Sequence, residues 1–275
     1  MSSNSTVCIS HKMERALKDI ESHSLSTPEQ SLKAELAATD HLSRNVRKAI
    51  MLSSKTLAAT VPDRFSSRNV QYTVRVALST ELSNPERAAV WRIADDNMQS
   101  ISKHSSLGWE THSKLEELFH RQSRFVIVHK CTDQDPDSSS AVFEAERIVA
   151  FTMFRFDRED DYDMIYCYEL QIDREAQRQG LGKFLMQCLT QIGEKTRMEK
   201  IVLTALKSNK SALDFYYAAG FTMDPTSPDY EEDDESMRSS PDSIEDTVER
   251  GGSDDGAEAE ECDYFILSRP IPYTK

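Results

Sequence analysis

The chain has 275 residues, enough for one ordinary domain with extensions or two small ones, and a formal net charge of −14. No apolar run approaches the roughly 18 residues of a membrane helix, and the start, MSSNSTVCISHKMERALKD, has no apolar leader core, so neither a membrane span nor a signal peptide is expected. The five cysteines (Cys8, Cys131, Cys167, Cys188, Cys262) are scattered without C-x-x-C spacing; disulfides and zinc are not expected, and a reducing compartment is the default.

Residues 1–26 are polar and read as disordered. Residues 27–54 read as one helix: Thr27 can cap it, Pro28 suits its first turn, and Leu32, Leu36, Leu42, Val46 and Ile50 approximate one apolar stripe. Asn69 to Leu78 alternates and carries β-branched residues, which predicts the first strand. Asn84, followed by Pro85, signals the cap of a second helix, and residues 113–121 read as a shorter third. Strands follow over 124–130, 147–157 and 163–172, the last two joined by an acidic turn. Residues 183–197 fit a helix with Phe184, Leu185, Cys188, Leu189 and Ile192 on one side. A short strand (200–206), a helix (211–220) and a final strand (264–271) complete the order. It predicts an α/β (α+β) domain, a mixed sheet with helices on both faces, and not a doubly wound dinucleotide domain.

The acidity is local. The segment from Asp229 to Asp263 holds 16 acidic residues against Arg238 and Arg250, which accounts for the whole net charge, while the remainder is neutral. Few apolar groups and many like charges predict a disordered insert over about 225–261, a solvating loop or a weak electrostatic lure for a basic partner.

Between the strand at 163–172 and its following helix lies QRQGLG, Gln177 to Gly182. Unpaired N–H groups at a helix start converge with the positive end of the helix dipole, which makes an anion site. Glycine lets a pyrophosphate approach without a Cβ in the way, and Arg178 and Lys183 add charge. The G-x-x-x-x-G-K-[ST] phosphate loop and G-x-G-x-x-G are both absent. A second motif, NKSALDFYYAAGF (Asn209 to Phe221), follows the next strand.

Together the two motifs resemble the GNAT superfamily of acetyl-CoA-dependent N-acetyltransferases. Gln177, Gly180 and Gly182 match its [QR]-x-x-G-x-[GA] pattern, and Asn209, Ala212, Tyr216, Gly220 and Phe221 its second pattern. RFD…YCYELQ, GLGKFLMQ, VLTALKSN and CDYFILSR are further similar to the N-alpha-acetyltransferase D family, which acetylates core histones beginning Ser-Gly-Arg-Gly. The acidic insert and the loop after Cys131 depart from that family. The resemblance implies a GNAT domain over 69–275, interrupted by the insert and preceded by a helical extension over 27–68.

It also implies roles. Acetyl transfer needs a neutral amine, a polarised thioester and a proton for the leaving thiolate. The family's base falls at Glu169, with Tyr168 beside it in the catalytic group and Tyr216 as acid for the thiolate. Acetyl-CoA, the co-substrate, is expected along Leu170, Gln171, Gln177, Arg178, Gln179, Gly180, Leu181, Gly182 and Lys183, with Asn209 and Tyr216. Trp109, Asp157, Tyr166, Tyr168 and Tyr264 mark the acceptor pocket, Asp157 taking the substrate arginine bidentately. Histone N-terminal tails are the implied partner of a monomer in nucleus and cytoplasm, without metal, membrane or direct nucleic-acid contact. A lysine or small-amine acceptor, or a non-catalytic acidic histone-binding protein, are the alternatives.

Overall fold

The computed structural model describes residues 42–131, 147–231 and 262–272; expectations for residues 1–41 and most of the acidic insert lie outside these. The predicted 27–54 helix is corrected within its described part. Ser43 has an extended backbone (φ −63°, ψ 166°), and its hydroxyl accepts from the N–H groups of Asn45 and Val46. A hydroxyl that satisfies the first amides starts a helix there and does not continue one. The result is α1 (Arg44–Ile50), followed after Met51–Ser53 by α2 (Ser54–Ala58), capped by Ser53.

A hairpin follows that periodicity did not reveal. Strand β1 (Arg64–Ser67) pairs antiparallel with β2 (Val70–Leu78) around Arg68 and Asn69, whose φ values of 48° and 65° are those of a tight primed turn. The sheet therefore begins inside the segment assigned to the helical extension. Helix α3 (Asn84–Ser102) is capped by Ser83 and not Asn84: Glu86 Oε2 accepts from the Ser83 N–H at 2.8 Å, closing a capping box. Helix α4 (Thr111–Leu118) starts from Glu110, whose carboxylate accepts from His112 and Ser113.

The remaining predicted elements fall close to their places: β3 (Arg124–Lys130), β4 (Ile148–Glu159), β5 (Tyr162–Ile172), α5 (Leu181–Thr196), β6 (Lys200–Leu206), α6 (Lys210–Ala218) and, after an unpredicted two-residue β7 (Thr222–Met223), β8 (Tyr264–Pro270). One eight-stranded sheet results, in the order β1-β2-β3-β4-β5-β6-β8-β7. All its pairings are antiparallel except β5 with β6. Helices α1, α2, α5 and α6 bury one face, and α3 with α4 the other, each over its own apolar core. Among the described residues no helix is long and apolar enough to cross a membrane.

The return of the chain after the acidic insert is firmly built. β8 pairs with β6 along its whole length, from Lys200↔Pro270 to Leu206↔Tyr264. Ahead of the insert, Asp224 to Tyr230 form an ordered turn, part of the span predicted to be disordered. Asp224 is 1% exposed and anchors this turn: its carboxylate meets the Lys200 ammonium at 2.7 Å and the Thr226 hydroxyl at 2.7 Å. Burial disfavours its charge, yet Lys200, Ser268 and Thr226 hold the carboxyl down to about 2. A depressed carboxylate stabilises the fold above its unfolded value and loses that contribution as pH falls toward the folded one. Asp224→Asn is therefore expected to cost about 2 kcal/mol near neutrality, lowering Tm by roughly 4–8 °C. The gap from wild type should close as pH falls from about 4 toward 2, which thermal melts across pH will read.

Candidate active site

The anion turn is built on Asp173. This buried carboxylate closes the end of β5: it accepts the Glu175 N–H at 3.2 Å and the guanidinium groups of Arg92 and Arg147 at 3.0 and 3.1 Å. Burial pushes its pKa up, but these donors bring it below its usual range. Beyond it the backbone turns left-handed twice, at Arg178 (φ 62°) and Gly180 (φ 81°). Such alternation turns successive N–H groups to one side as an anion-binding nest. The amides of Leu181, Gly182 and Lys183 open α5, and no side chain caps them. Gly180, Arg178 and Lys183 are exposed, and the two cations make no ion pair among the described residues.

The surrounding side chains brace this turn from outside. Gln177 donates to the Ile172 carbonyl at 3.3 Å and Gln179 to the Glu175 carbonyl at 3.3 Å, while the Tyr72 hydroxyl donates to Gln179. The glycines divide their work. At Gly180 the left-handed backbone favours glycine, and an added Cβ would lie 3.8 Å from the Phe65 ring. At Gly182 a Cβ would press within 3.1 Å of Phe215, so that glycine lets α5 lie against α6. An open row of amides flanked by two cations that have no ion pair among the described residues fits the diphosphate arm of coenzyme A.

Next to this turn the sheet opens. β5 and β6 pair only at Met164↔Lys200, Ile165↔Ile201 and Tyr166↔Val202, and beyond Tyr166 no pairing joins them. From Cys167 to Ile172 the β5 backbone therefore has no strand partner on the β6 side. A bulge coincides with the opening: Phe154 faces Cys167 and Met153 faces Glu169, which leaves Tyr168 as the extra residue. Strict alternation would put Glu169 on the face of Cys167; the bulge moves it to that of Tyr168, toward α3 and α4. Glu169 is 5% exposed, with one oxygen 2.6 Å from Lys114 Nζ and the other accepting from Gln171 Nε2 at 2.6 Å.

Across the opening, α6 supplies Tyr216. Burial, with the Cys167 thiol and Glu169 carboxylate nearby, pushes its phenol upward, so it keeps its proton at neutral pH. Its hydroxyl has no hydrogen-bond partner among the described residues. Asn209 is the N-cap of α6, its side-chain oxygen accepting from Ala212 N–H at 3.2 Å. Among the described residues no group of three or more His, Cys, Asp or Glu gathers to hold a metal.

Residues 88–221, which carry both glycine-bearing motifs and the opening between β5 and β6, match the sequence model of the acetyltransferase (GNAT) family. The fold is the GNAT fold, and over this span the chain is similar to that acetyltransferase family. Solved structures similar to the chain include Ard1 from Thermoplasma volcanium, 16% identical over 73% of this chain and 98% of that one, with a TM-score of 0.44. The ribosomal-protein-S18-alanine N-acetyltransferase from Escherichia coli is 16% identical over 74% and 97%, with a TM-score of 0.39. An NatC complex bound to Gag peptide and CoA is 12% identical over 72% and 99%, with a TM-score of 0.43. An aminoglycoside acetyltransferase from an uncultured soil metagenomic sample is 15% identical over 65% and 97%, with a TM-score of 0.38. At such low scores their substrates do not transfer to this chain. GNAT acetyltransferases use acetyl-CoA, and the nest and opening of this domain are suited to its diphosphate and thioester.

On the α3/α4 side the GNAT domain presents an aromatic wall. The rings of Tyr166 and Tyr168 lie 4.7 Å apart, and the Tyr166 hydroxyl reaches Thr204 on β6 at 2.5 Å, spanning the opening. Arg155 lies 4.4 Å over the Tyr168 ring, fixed there by Ser123 at 3.1 Å and the Glu117 carbonyl. Burial and the Asp157 carboxylate, against the pull of Arg155, raise the Tyr168 phenol, and Asp157 stands two residues beyond Arg155, the partner of Tyr166, on the same face of β4. Among the described residues Asp157 accepts only the neighbouring Arg158 N–H, at 2.8 Å, and has no cationic partner. Trp109 is half-buried between Trp91 (5.8 Å) and the Lys114 ammonium (5.9 Å). Tyr264 opens β8, and the preceding Asp263 accepts from the Ser106 N–H at 2.9 Å and its hydroxyl at 2.5 Å. That bond ties the loop bearing Trp109 to the strand bearing Tyr264.

Sequence reasoning placed Gln171 along the cofactor. Its side chain joins Glu169 to Asn97 of α3 at 3.0 Å, on the α3 side of the sheet. Leu170, half-buried, packs on the α5 side. Lys114, Arg155 and Ser106 were missed: Lys114 reads as the solvated face of a short helix, Arg155 interrupts an apolar strand and Ser106 lies in a loop, and only long-range pairing reveals them.

Proposed function

We propose that this domain transfers acetyl from acetyl-CoA to the N-terminal α-amine of a basic, extended peptide, of the histone type beginning Ser-Gly-Arg-Gly. The observation that carries the reading is Asp157, a half-buried carboxylate that meets no cation among the described residues, on the face of the sheet that carries Tyr166 and Tyr168. An arginine side chain two residues from the reacting amine suits that vacancy, and the tyrosine faces suit an extended backbone. Trp109 and Tyr264, tied across the mouth, form the rest of the pocket. Tail substrates also favour a monomer working in nucleus and cytoplasm.

The choice of α-amine follows from proton availability. An α-amine near pKa 7.7–8.0 is neutral in about one molecule in ten at pH 7, a lysine near 10.4 in only about one in 2,500. A single carboxylate, acting directly or through a water, suffices for the former. In the reaction Glu169 accepts the amine proton, N–H groups after it polarise the acyl oxygen, and Tyr216 gives its proton to the sulfur. Acetyl-CoA supplies the activated acyl group. Offering purified protein tail peptides with free and pre-blocked N-termini, and locating the added acetyl by mass spectrometry, tests this reading. Acetyl on the terminal residue of the free peptide alone supports it; acetyl on a lysine of the blocked peptide overturns it.

A further inference from the structure

Glu169 is held more firmly than a general base requires. Lys114 Nζ lies 2.6 Å from Oε1, and Gln171 Nε2 donates to Oε2 at 2.6 Å. Gln171 is fixed in turn by Asn97, which donates to its Oε1 at 3.0 Å and to the Ile172 carbonyl at 3.0 Å. Lys114 is steadied by Glu117 and lies against the Trp109 ring. The carboxylate is thus gripped from two helices, α3 and α4, that belong to no GNAT sequence motif quoted above.

We infer that Lys114 is a positioning residue for the acyl-transfer step, orienting the Glu169 carboxylate so that its remaining lone pairs face the acceptor amine. This rests on the reading of Glu169 as the base. A carboxylate that could rotate would present the right lone pair only part of the time; two fixed donors on opposite oxygens remove that freedom. Lys114 also stays harmless beside an acyl donor. Burial disfavours its charge, but the Glu169 and Glu117 carboxylates more than offset this and hold the amine protonated, hence not nucleophilic.

The groups facing Glu169 are few. α4 presents Lys114 with Glu117 behind it, α6 presents Tyr216, and β5 presents Cys167. α3 offers the neutral Asn97 through Gln171, and β4 the neutral Thr152 and Met153. The Tyr216 phenol is raised by burial and the Cys167 thiol is pushed up to about 12, so both are uncharged at neutral pH.

The test uses the full chain with Lys114→Met, Lys114→Gln and Lys114→Arg, alone and combined with Glu169→Gln. In the two neutral variants kcat is expected to fall about tenfold or more, with the KM for acetyl-CoA within about twofold of wild type. The loss should fall on kcat, because the substitution frees the carboxylate to rotate without touching the cofactor turn. Lys114→Arg, which still donates to Glu169, should restore most of kcat. Combined with Glu169→Gln, the neutral substitutions should cost nothing further, as expected of residues acting through one group. Lys114→Gln, which can still donate to Glu169, serves if Lys114→Met fails to fold. Wild-type kcat in both neutral variants, or a full additional loss in the Glu169→Gln background, overturns the inference while leaving the base reading intact. A Glu169→Gln enzyme with wild-type kcat overturns the base reading itself.

Discussion

Glu169→Gln is expected to lower kcat by about 100-fold or more, while coenzyme A binds as tightly as to wild type. The substitution keeps the shape of the side chain and removes its ability to take a proton. The cofactor's diphosphate is proposed to lie against amides 181–183, on the helix that follows, so its binding should not register the change. Some stability will be lost, because Lys114 is left in a half-closed site with only Glu117 as counter-charge. That loss should stay below the roughly 3–5 kcal/mol of a buried ion with no partner at all, since one carboxylate remains. Turnover at saturating substrates, titration calorimetry with coenzyme A and a thermal melt separate the three quantities. Equal losses of turnover and cofactor affinity would show that Glu169 is a structural residue of the opening.

Much of this site could be read from the sequence because its chemistry is local. The anion turn is a stretch of backbone, and glycine at 180 declares a left-handed residue wherever the rest of the chain goes. β3 and β6 were placed to the residue, since strands buried on both faces are unbroken apolar runs. What failed was set by competition or distance. Ser43 ended a continuous apolar stripe by offering its hydroxyl to the next amides. β1 escaped notice because Phe65, stacked 4.4 Å from Phe184, is the only large apolar side chain its four residues offer. The bulge at Tyr168 reverses the face of Glu169, a change that no period-two pattern records. The Lys114–Glu169 pair joins elements remote in sequence, and Lys114 alone reads as an ordinary surface lysine.

Gly180→Trp is expected to abolish measurable coenzyme A binding while the domain still folds. Two effects act there and can be separated. A residue with a Cβ forced to φ 81° carries backbone strain of about 1–2 kcal/mol, which lowers Tm whatever the side chain. The indole adds bulk: it leaves the backbone toward Phe65, at the rim of the amides that open α5, where a diphosphate would need to approach. Gly180→Ala carries the strain without the bulk, so its melt should resemble that of Gly180→Trp while most cofactor affinity survives. Gly182→Ala gives the opposite control. Its methyl group would press on Phe215, 3.1 Å from the ideal Cβ position, so the cost falls on the packing of α5 against α6. Calorimetry with coenzyme A across the three variants should therefore rank Gly180→Trp far below the two alanines. Wild-type affinity in a folded Gly180→Trp protein would mean that the diphosphate lies elsewhere, and that the left-handed turn at Arg178 and Gly180 serves only to redirect the chain.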